Sequence, residues 1–322
     1  MTRSFAFLLL SATFAAPPTV FAQARAGDDA AAVSPLAPLF AQFDEALAPR
    51  LIGADDAASR WISGRLATLE PAEQARDYAA AAAREPKEML YAASLAEACV
   101  RTPSALECGD RDAVGYWVSR DAENAVPWLL QAERARRRNN TTSMVDNLER
   151  ASRSSRYESY DHRAGAVLYS KLKTVTPAEN RAAAVLYAVG QAAGGASLQA
   201  IENVCSPQAR ALDPRVPAAC YRLGTMMAEH ASLLSDRRAG TQLALSAASS
   251  DGARSSASEQ ARAVVARQDQ CREVLQGLER AAFGTTDQRN RAAAIGEQYV
   301  VARAREGEIV ACEALGRSLA IR

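Results

Sequence analysis

The sequence predicts an all-α fold, and three observations support this prediction. After residue 36, apolar residues recur at intervals of three and four, the spacing that places them on one face of a helix. Alanine runs such as residues 79–83 allow helices to pack closely. No segment of comparable length shows the alternation of apolar and polar residues, flanked by turn residues, that indicates a strand. We therefore expect helices throughout the folded part of the chain and no sheet.

The first 22 residues predict a secretory signal peptide. Arg3 precedes an apolar run at residues 5–16, and small residues lead to Ala22. A charged start, a short apolar segment and an A-x-A-like end are typical of an export signal. We expect cleavage after Ala22; a retained signal that anchors the chain is the alternative. Residues 23–35 then form a flexible leader. With a composition rich in alanine and poor in lysine, this predicts a bacterial periplasmic or secreted protein.

Apolar spacing predicts three helices in the first part of the folded chain. The first should begin near residue 36 and end before Pro49, because proline disrupts the interior of a helix. The apolar positions of the first two helices are Leu36, Leu39, Phe40, Phe43 and Leu47, followed by Ala58, Trp61, Ile62, Leu66 and Leu69. Pro71 then begins a third helix, since proline is favoured in the first turn.

Residues 121–156 predict a helix, a turn of two asparagines and a second helix. With Trp128 at the fourth position, this segment resembles one tetratricopeptide repeat. The other matching residues are Ala132 at the eighth position, Ala135 at the eleventh, Leu148 at the twenty-fourth and Ala151 at the twenty-seventh. Asn139 stands where such repeats usually have glycine, and asparagine tolerates the left-handed backbone needed there. The segment departs from the pattern at Met144, which replaces a small residue, and at Arg156, which replaces proline.

Neighbouring segments predict helix pairs of the same kind. The pairs are residues 87–100 with 110–119, and residues 160–173 with 177–193. One helix pair cannot bury its own apolar face, so adjacent pairs must stack. The resemblance therefore implies a right-handed solenoid of tetratricopeptide-like helix hairpins over residues 36–195.

The period breaks after residue 195, and residues 196–322 predict a C-terminal helical bundle. Its helices are longer and unequal in length: residues 220–234, 237–250, 256–283 and 286–319. Asp236 and Asp251 fall where helix caps or turns are wanted. The uncharged stretch at residues 182–201 is rich in alanine and contains a glycine pair, so we expect a packed helix that ends at this pair. We predict no transmembrane segment in the mature chain.

The resemblance also implies a binding groove. In tetratricopeptide proteins the first helix of each repeat lines a concave surface that holds extended peptides or partner helices. Carried onto the best-matching repeat, the groove positions are Val126, Leu129, Glu133 and Arg136, flanked by Arg137. The lysine and asparagine set with which some relatives clamp a C-terminal carboxylate is absent, so the ligand type stays open. The expected partner is a protein or peptide of the cell envelope.

Six cysteines lie in the mature chain, and an even number in an exported protein favours three disulfides. The pairs that we favour are Cys99 with Cys108, Cys205 with Cys220, and Cys271 with Cys312. Six cysteines allow fifteen pairings, and sequence alone does not choose among them. The first two pairs each bracket one predicted loop between helices, and the third consists of the two cysteines that remain. Buried free thiols are the alternative. A zinc site is less favoured, because no C-x-x-C or paired cysteine and histidine spacing occurs.

The chain lacks the motifs of the common enzyme classes. Its two histidines, His162 and His230, are far apart and belong to no H-E-x-x-H motif. No nucleotide-binding glycine motif or nucleophile elbow occurs. The 38 basic and 37 acidic residues nearly cancel, which argues against a nucleic-acid binder. We therefore predict no catalytic residue, no cofactor and no metal site.

These observations predict a non-catalytic periplasmic protein that binds or scaffolds a protein or peptide. Two alternatives stay open. An envelope enzyme that cleaves cell-wall glycan would need only one or two carboxyl groups in a groove, and a polar pocket holding a carboxyl of raised pKa would favour it. A structural helical protein without a groove is the other alternative. A C-terminal bundle that fills the concave side would favour that one.

Overall fold

A computed structural model describes residues 37–65, 70–109, 112–191 and 196–320. Within these ranges the protein consists of 17 α-helices and one short 3-10 helix and contains no strand, so the predicted all-α fold is confirmed. Residues 1–35, with the predicted signal peptide and leader, lie outside the described residues, as do Leu36, Leu66 and Leu69. Cleavage after Ala22 therefore stays a prediction.

The helices follow one another with short connections. The first half of the chain contains α1 (Ala37–Leu51), α2 (Ala57–Arg65), α3 (Pro71–Arg84), α4 (Met89–Arg101), α5 (Leu106–Gly109), α6 (Ala113–Arg120), α7 (Ala125–Arg137) and α8 (Thr141–Arg153). The second half contains α9 (Asp161–Val175), a short 3-10 helix (Ala178–Asn180), α10 (Arg181–Gly190), α11 (Ala196–Val204), α12 (Pro207–Leu212), α13 (Arg215–His230), α14 (Leu234–Ala247), α15 (Asp251–Ala282), α16 (Thr286–Glu306) and α17 (Glu308–Ala320).

Asparagine side chains begin both helices of the central hairpin. Asn124 accepts a hydrogen bond from the backbone N–H of Val126 at the start of α7, at 3.1 Å. Asn140 accepts one from Ser143 at the start of α8, at 3.0 Å. Such caps satisfy backbone donors that the first turn of a helix leaves unpaired. Between the two helices, Asn139 has a φ of +57°, so the predicted left-handed turn is confirmed.

The first helix continues past its predicted end. α1 runs to Leu51 and holds Pro49 in its last turn. Proline removes one backbone hydrogen bond, and near the end of a helix that loss is small. Phe43 and Leu47 on the same helix are buried in the core. Leu51, beyond Pro49 in the last turn, also packs against the core, and this contact favours a helix that continues past the proline.

Helices α2 to α8 pack as a continuous array. α2 contacts α3, α3 contacts α4, α4 contacts α6, α6 contacts α7, and α7 contacts α8. The core between them contains large buried side chains, including Trp61, Trp117 and Leu148. Trp61 donates a hydrogen bond to the hydroxyl of Ser94 at 2.8 Å, which satisfies the buried indole N–H.

After α8 the packing order differs from the predicted solenoid. The next helix in space is α13, whereas α9 and α10 pack on each other and on α16. α9 also contacts α1, α2 and α4, so it joins the start of the array to the C-terminal helices. The chain is redirected before α9: Ser155 and Arg156 bond to the backbone of Glu123 and Ala125, and Tyr160 has a φ of +64°. α9 and α10 form a helix pair, as predicted for this part of the chain, but the pair packs on α16 and not on α8.

Helices from both sides of residue 195 share one hydrophobic core. α11 lies on α4 and α7, and α13 lies on α8. α11 and α12 lie between residues 196 and 219, where no helix was predicted from the sequence. The C-terminal helices therefore cover the array, and the predicted boundary at residue 195 does not separate two packing units.

Glycines set two features of the C-terminal helices. A Cβ on Gly224 of α13 would lie 2.7 Å from the carbonyl oxygen of Gly240 of α14, so the two helices touch along their backbones. Gly307 has a φ of +87° and divides the predicted helix at residues 286–319 into α16 and α17. Glycine adopts this conformation without the strain that a side chain would cause.

Three cysteine pairs lie at disulfide distance, and they are the three predicted pairs. The Cα atoms are 5.3 Å apart for Cys99 and Cys108, 5.9 Å for Cys205 and Cys220, and 5.3 Å for Cys271 and Cys312. The described residues include no free cysteine. The pairs join α4 to α5, the segment after α11 to α13, and α15 to α17. Each predicted pair therefore has the spacing that a disulfide needs.

The uncharged stretch at residues 182–201 contributes to two helices. α10 ends at Gly190 and α11 begins at Ala196. Most side chains of α10 are buried against neighbouring helices. In the part of the chain that the structure describes, no helix is long and apolar enough to span a membrane.

Candidate functional site

The predicted groove positions lie on α7, but three of them point into the core. Val126 and Leu129 have no exposed surface, and Glu133 is 1% exposed. α11 packs on α7 and covers this face. The side chains of Arg136 and Arg137 remain partly exposed. Val126, Leu129 and Glu133 therefore do not line an open groove, because α11, a helix from beyond residue 195, packs on this face of α7.

Glu133 instead anchors α11. Its carboxylate accepts hydrogen bonds from Arg136 at 2.7 Å, Arg137 at 2.8 Å and Asn203 of α11 at 3.1 Å. Burial by itself would raise the pKa of Glu133, but the two guanidinium groups outweigh burial and hold the pKa below its usual range. The basic end of α7 therefore neutralises a buried carboxylate and does not form an open anion site.

An open cleft lies on the surface where α8 ends beside α13. Its volume is about 290 Å³. It is lined by Ser154, Ser155, Tyr221, Arg222, Thr225, Met226, Glu229 and His230. Its floor is α13, on which side chains four residues apart form a row along the helix. The α13 residues make two such rows, one with Tyr221, Thr225 and Glu229, and one with Arg222, Met226 and His230.

The two rows of the cleft have different neighbours. In the first row, Tyr221 donates a hydrogen bond to the carbonyl of Ala253 in α15 at 3.4 Å, and Glu229 accepts one from Gln260 of α15 at 2.7 Å. In the second row, Arg222 donates to the hydroxyl of Ser152 near the end of α8 at 3.2 Å. The cleft therefore lies on α13 and is bordered by Ser154 and Ser155, which follow α8, while its first row is held by α15.

None of the residues that line the cleft was predicted from the sequence to form a binding site. His230 appeared in the sequence as a histidine without a catalytic motif, and α13 as one helix of a bundle. An amphipathic pattern that includes Tyr221 and Met226 is compatible with a buried face and with an open one. The position of the end of α8 decides between the two, and that position is a property of the tertiary structure.

A second polar cluster lies in the interior, where three chain segments meet. Glu158, in the link before α9, accepts hydrogen bonds from the backbone N–H of Tyr160 at 2.7 Å and from the hydroxyl of Ser232. Its Oε1 lies 2.9 Å from Nδ1 of His162. The carbonyl of Ser232 accepts a hydrogen bond from the N–H of Glu308 at 2.8 Å. Segments around residues 158, 232 and 308 are joined in this way.

Two carboxyl groups of this cluster have raised pKa values. Asp161 of α9 is 4% exposed, and Asp236, predicted to be a cap or turn residue, is 2% exposed in the first turn of α14. Burial raises the pKa of both, and the negative charges of Asp161 and Glu158 raise that of Asp236 further. Arg65 lies 3.5 Å from Asp161 and offsets only part of the effect of burial. We use the term junction for Arg65, Glu97, Glu158, Asp161, His162, Ser232, Asp236, Arg303 and Glu308.

The junction contains residue types found in catalytic sites, but its contacts are those of a structural cluster. Ser232 and His162 both contact Glu158, whereas a nucleophilic serine needs a hydrogen bond to its base. Asp161 and Asp236 do not line the cleft. Among the described residues, no group of three side chains could hold a metal ion. The junction therefore connects α9 to the C-terminal helices inside the core.

No protein-family model, curated protein or solved structure matches this chain. The resemblance of residues 121–156 to a tetratricopeptide repeat therefore stays a prediction. The geometry of the cleft and of the junction carries the functional argument.

Proposed function

We propose that the protein is a non-catalytic periplasmic module that binds a protein or peptide partner at the cleft on α13, beside the end of α8. The observation that carries this proposal is the exposed face of α13, where Met226 and His230 border an opening of about 290 Å³. Apolar and polar side chains side by side on a helix face are typical of peptide recognition.

The central hairpin supports a role in binding. α7 and α8 form the helix pair expected of a tetratricopeptide-like repeat, with a left-handed Asn139 between them. The proposed partner site lies at the end of α8 and not on the face of α7, since α11 covers that face.

Three cysteine pairs at disulfide distance support export. Disulfides form and persist in oxidising compartments and are rare in the cytoplasm of most organisms. The predicted signal peptide at residues 1–22 and these three pairs together favour a periplasmic or secreted location.

A structural protein without a ligand is the second candidate, and one observation favours it. α11 fills the face of α7 on which the groove was predicted, as a purely structural role would require. A glycan-cleaving enzyme is supported less well. Its carboxyl groups of raised pKa would be Asp44, Asp161 and Asp236, and none of the three lines the cleft.

Site-specific crosslinking in the cells that produce the protein tests the proposal. One full-length variant carries a photoreactive amino acid in place of Met226, and the control carries it in place of Leu212, which is 62% exposed and lies outside the cleft. We expect one envelope protein to be crosslinked from position 226 and not from position 212. The purified partner should then bind the protein and lose affinity for Met226→Glu. No product from position 226, or the same products from both positions, would support the structural alternative instead.

A further inference from the structure

The second row of the cleft places an arginine, a methionine and a histidine in one line. Arg222, Met226 and His230 are four residues apart, so their side chains lie one above another on α13. At a rise of 1.5 Å per residue, the row is about 12 Å long. An extended peptide advances about 3.3 Å per residue, so the row matches the length of about four residues.

The row is open because α8 ends before α13 does. Arg215 lies 3.3 Å from Asp146, and Arg222 lies 3.2 Å from Ser152, so α8 and α13 run side by side in the same direction. α8 ends at Arg153, whereas α13 continues to His230. About two turns of α13 therefore lack the neighbour that covers the preceding turns.

Arg222 gives the row a preference for negative charge. Its guanidinium bonds to the hydroxyl of Ser152, and no carboxylate of the described residues lies within ion-pair distance of it. The acidic residue of the cleft, Glu229, lies seven residues further along α13, about 10 Å from Arg222 along the helix axis. It accepts a hydrogen bond from Gln260 at 2.7 Å and lies 3.7 Å from Nε2 of His230. An arginine without a carboxylate partner, one turn from Met226, is complementary to a ligand with a carboxylate beside an apolar group.

The size of the cleft favours part of a larger molecule over a complete small ligand. Pockets that enclose small molecules measure roughly 300–1,000 Å³ and cover most of the ligand surface. This cleft of about 290 Å³ lies at the lower end of that range and is open along its length. It has room for a few side chains of a passing chain.

We infer that the cleft binds an acidic peptide segment of about four residues, in which a carboxylate pairs with Arg222 and an apolar side chain packs on Met226. This inference rests on the proposed function and specifies the chemistry of the partner. The carboxylate of the peptide supplies the negatively charged partner that Arg222 lacks. The apolar side chain of the peptide covers the turns of α13 that extend beyond the end of α8.

Fluorescence polarisation with three labelled peptides tests the inference on the full mature chain. The first peptide alternates glutamate and leucine, the second has lysine in place of glutamate, and the third has serine in place of leucine. We expect the first to bind best and the other two to bind roughly five-fold more weakly or worse, the range of an exposed charge pair or a small apolar contact. Salt should weaken the first peptide through charge screening.

Charge reversal provides the decisive comparison. Arg222→Glu should exchange the preference, so that the lysine peptide binds better than the glutamate peptide. Arg238→Glu, at an exposed arginine of α14 outside the cleft, should leave the wild-type preference unchanged. If circular dichroism shows that Arg222→Glu is unfolded, Arg222→Gln replaces it and should remove the preference.

The possible failures of the two proposals can be told apart. A glutamate peptide that does not bind, or binds wild type and Arg222→Glu equally, overturns the acidic-peptide inference. If crosslinking from position 226 still captures a partner that Met226→Glu releases, the proposed function stands without this ligand chemistry. If position 226 captures no partner, the proposed function is wrong whatever the peptides do.

Discussion

The junction and the cleft hold similar side chains in opposite surroundings. In the junction, Asp161 and Asp236 are almost without exposed surface, and burial raises the pKa of both. In the cleft, Arg222, Glu229 and His230 are exposed to water. Water screens exposed charges, so the charged side chains of the cleft have little effect on the free energy of unfolding and are accessible to a partner. Buried charges affect stability instead.

The comparison shows that residue chemistry alone does not locate a functional site here. The junction contains serine, histidine and carboxyl side chains, the residue types of many catalytic motifs. These side chains contact one another within the fold. The cleft has no such motif, but it is open. Access to solvent is therefore the property that separates the two regions, and the following predictions address it.

The largest effect is expected from removing the arginine of the junction. Arg65 lies 3.5 Å from Asp161 and donates two hydrogen bonds to the carbonyl of Gln191. Arg65→Met leaves Asp161 buried without this partner, which costs about 3–5 kcal/mol for a buried pair. Urea denaturation followed by circular dichroism measures the loss.

A matched control lies on the same helix. Arg60 pairs with Asp77 at 3.5 Å, with a third of its side chain exposed, so Arg60→Met should cost less than about 1 kcal/mol. Folded Arg65→Met should still bind the glutamate peptide like wild type, because the cleft is a separate region. Equal losses of stability in the two variants would show that Arg65 in the junction contributes no more to stability than the more exposed Arg60.

A smaller effect is expected from the disulfide that holds the floor of the cleft. Cys205 and Cys220 are both buried and close a loop of 15 residues onto α13. Replacing both with alanine should lower the free energy of unfolding by about 3 kcal/mol in the chain-entropy description. Because α13 carries Arg222 and Met226, affinity for the glutamate peptide should fall as well.

The control for this prediction is the pair Cys99 and Cys108, which joins α4 to α5. Its replacement by alanine should also reduce stability, by about 2–3 kcal/mol, but should leave peptide affinity unchanged. Loss of affinity in both double variants would mean that the peptide responds to overall stability and not to the cleft.

The smallest effect is a change in the pH dependence of stability. Burial, together with the nearby charge of Asp161, raises the pKa of Asp236 well above its usual range. A carboxyl whose pKa is raised by folding contributes stability below its unfolded pKa, and this contribution is lost as pH rises through the folded pKa. Asp236→Asn should therefore increase the melting temperature by a few degrees at about pH 8 and by less at about pH 5.

Differential scanning calorimetry of Asp236→Asn and Asp269→Asn at both pH values checks this prediction. Asp269 is 48% exposed and pairs with Arg272 on the surface, so its replacement should give no such difference. The lowered pKa of Glu158 makes stability increase with pH, which is opposite to the effect of Asp236. Because Glu158 is present in both wild type and the variant, the comparison between them removes its effect. The same gain at both pH values would contradict the assigned charge state of Asp236.

The sequence by itself predicted the all-α fold, most of the helices and the three cysteine pairs that lie at disulfide distance. Helical spacing of apolar residues predicted the all-α fold, and Pro71 and Asn139 lie where local rules place a helix start and a left-handed turn. These features depend on neighbouring residues along the chain, whose interactions are readable from spacing. The cysteines of two pairs are only 9 and 15 residues apart, so the loops between them were visible too.

Only the tertiary structure decided which faces are open. Val126 and Leu129 were predicted to line a groove, but α11 returns from beyond residue 195 and buries them. Met226 fits a core position equally well, but α8 ends too early to cover it. Solvent exposure depends on contacts between residues that are distant in sequence. Local periodicity therefore identifies the helices here but does not determine which of their faces meet solvent.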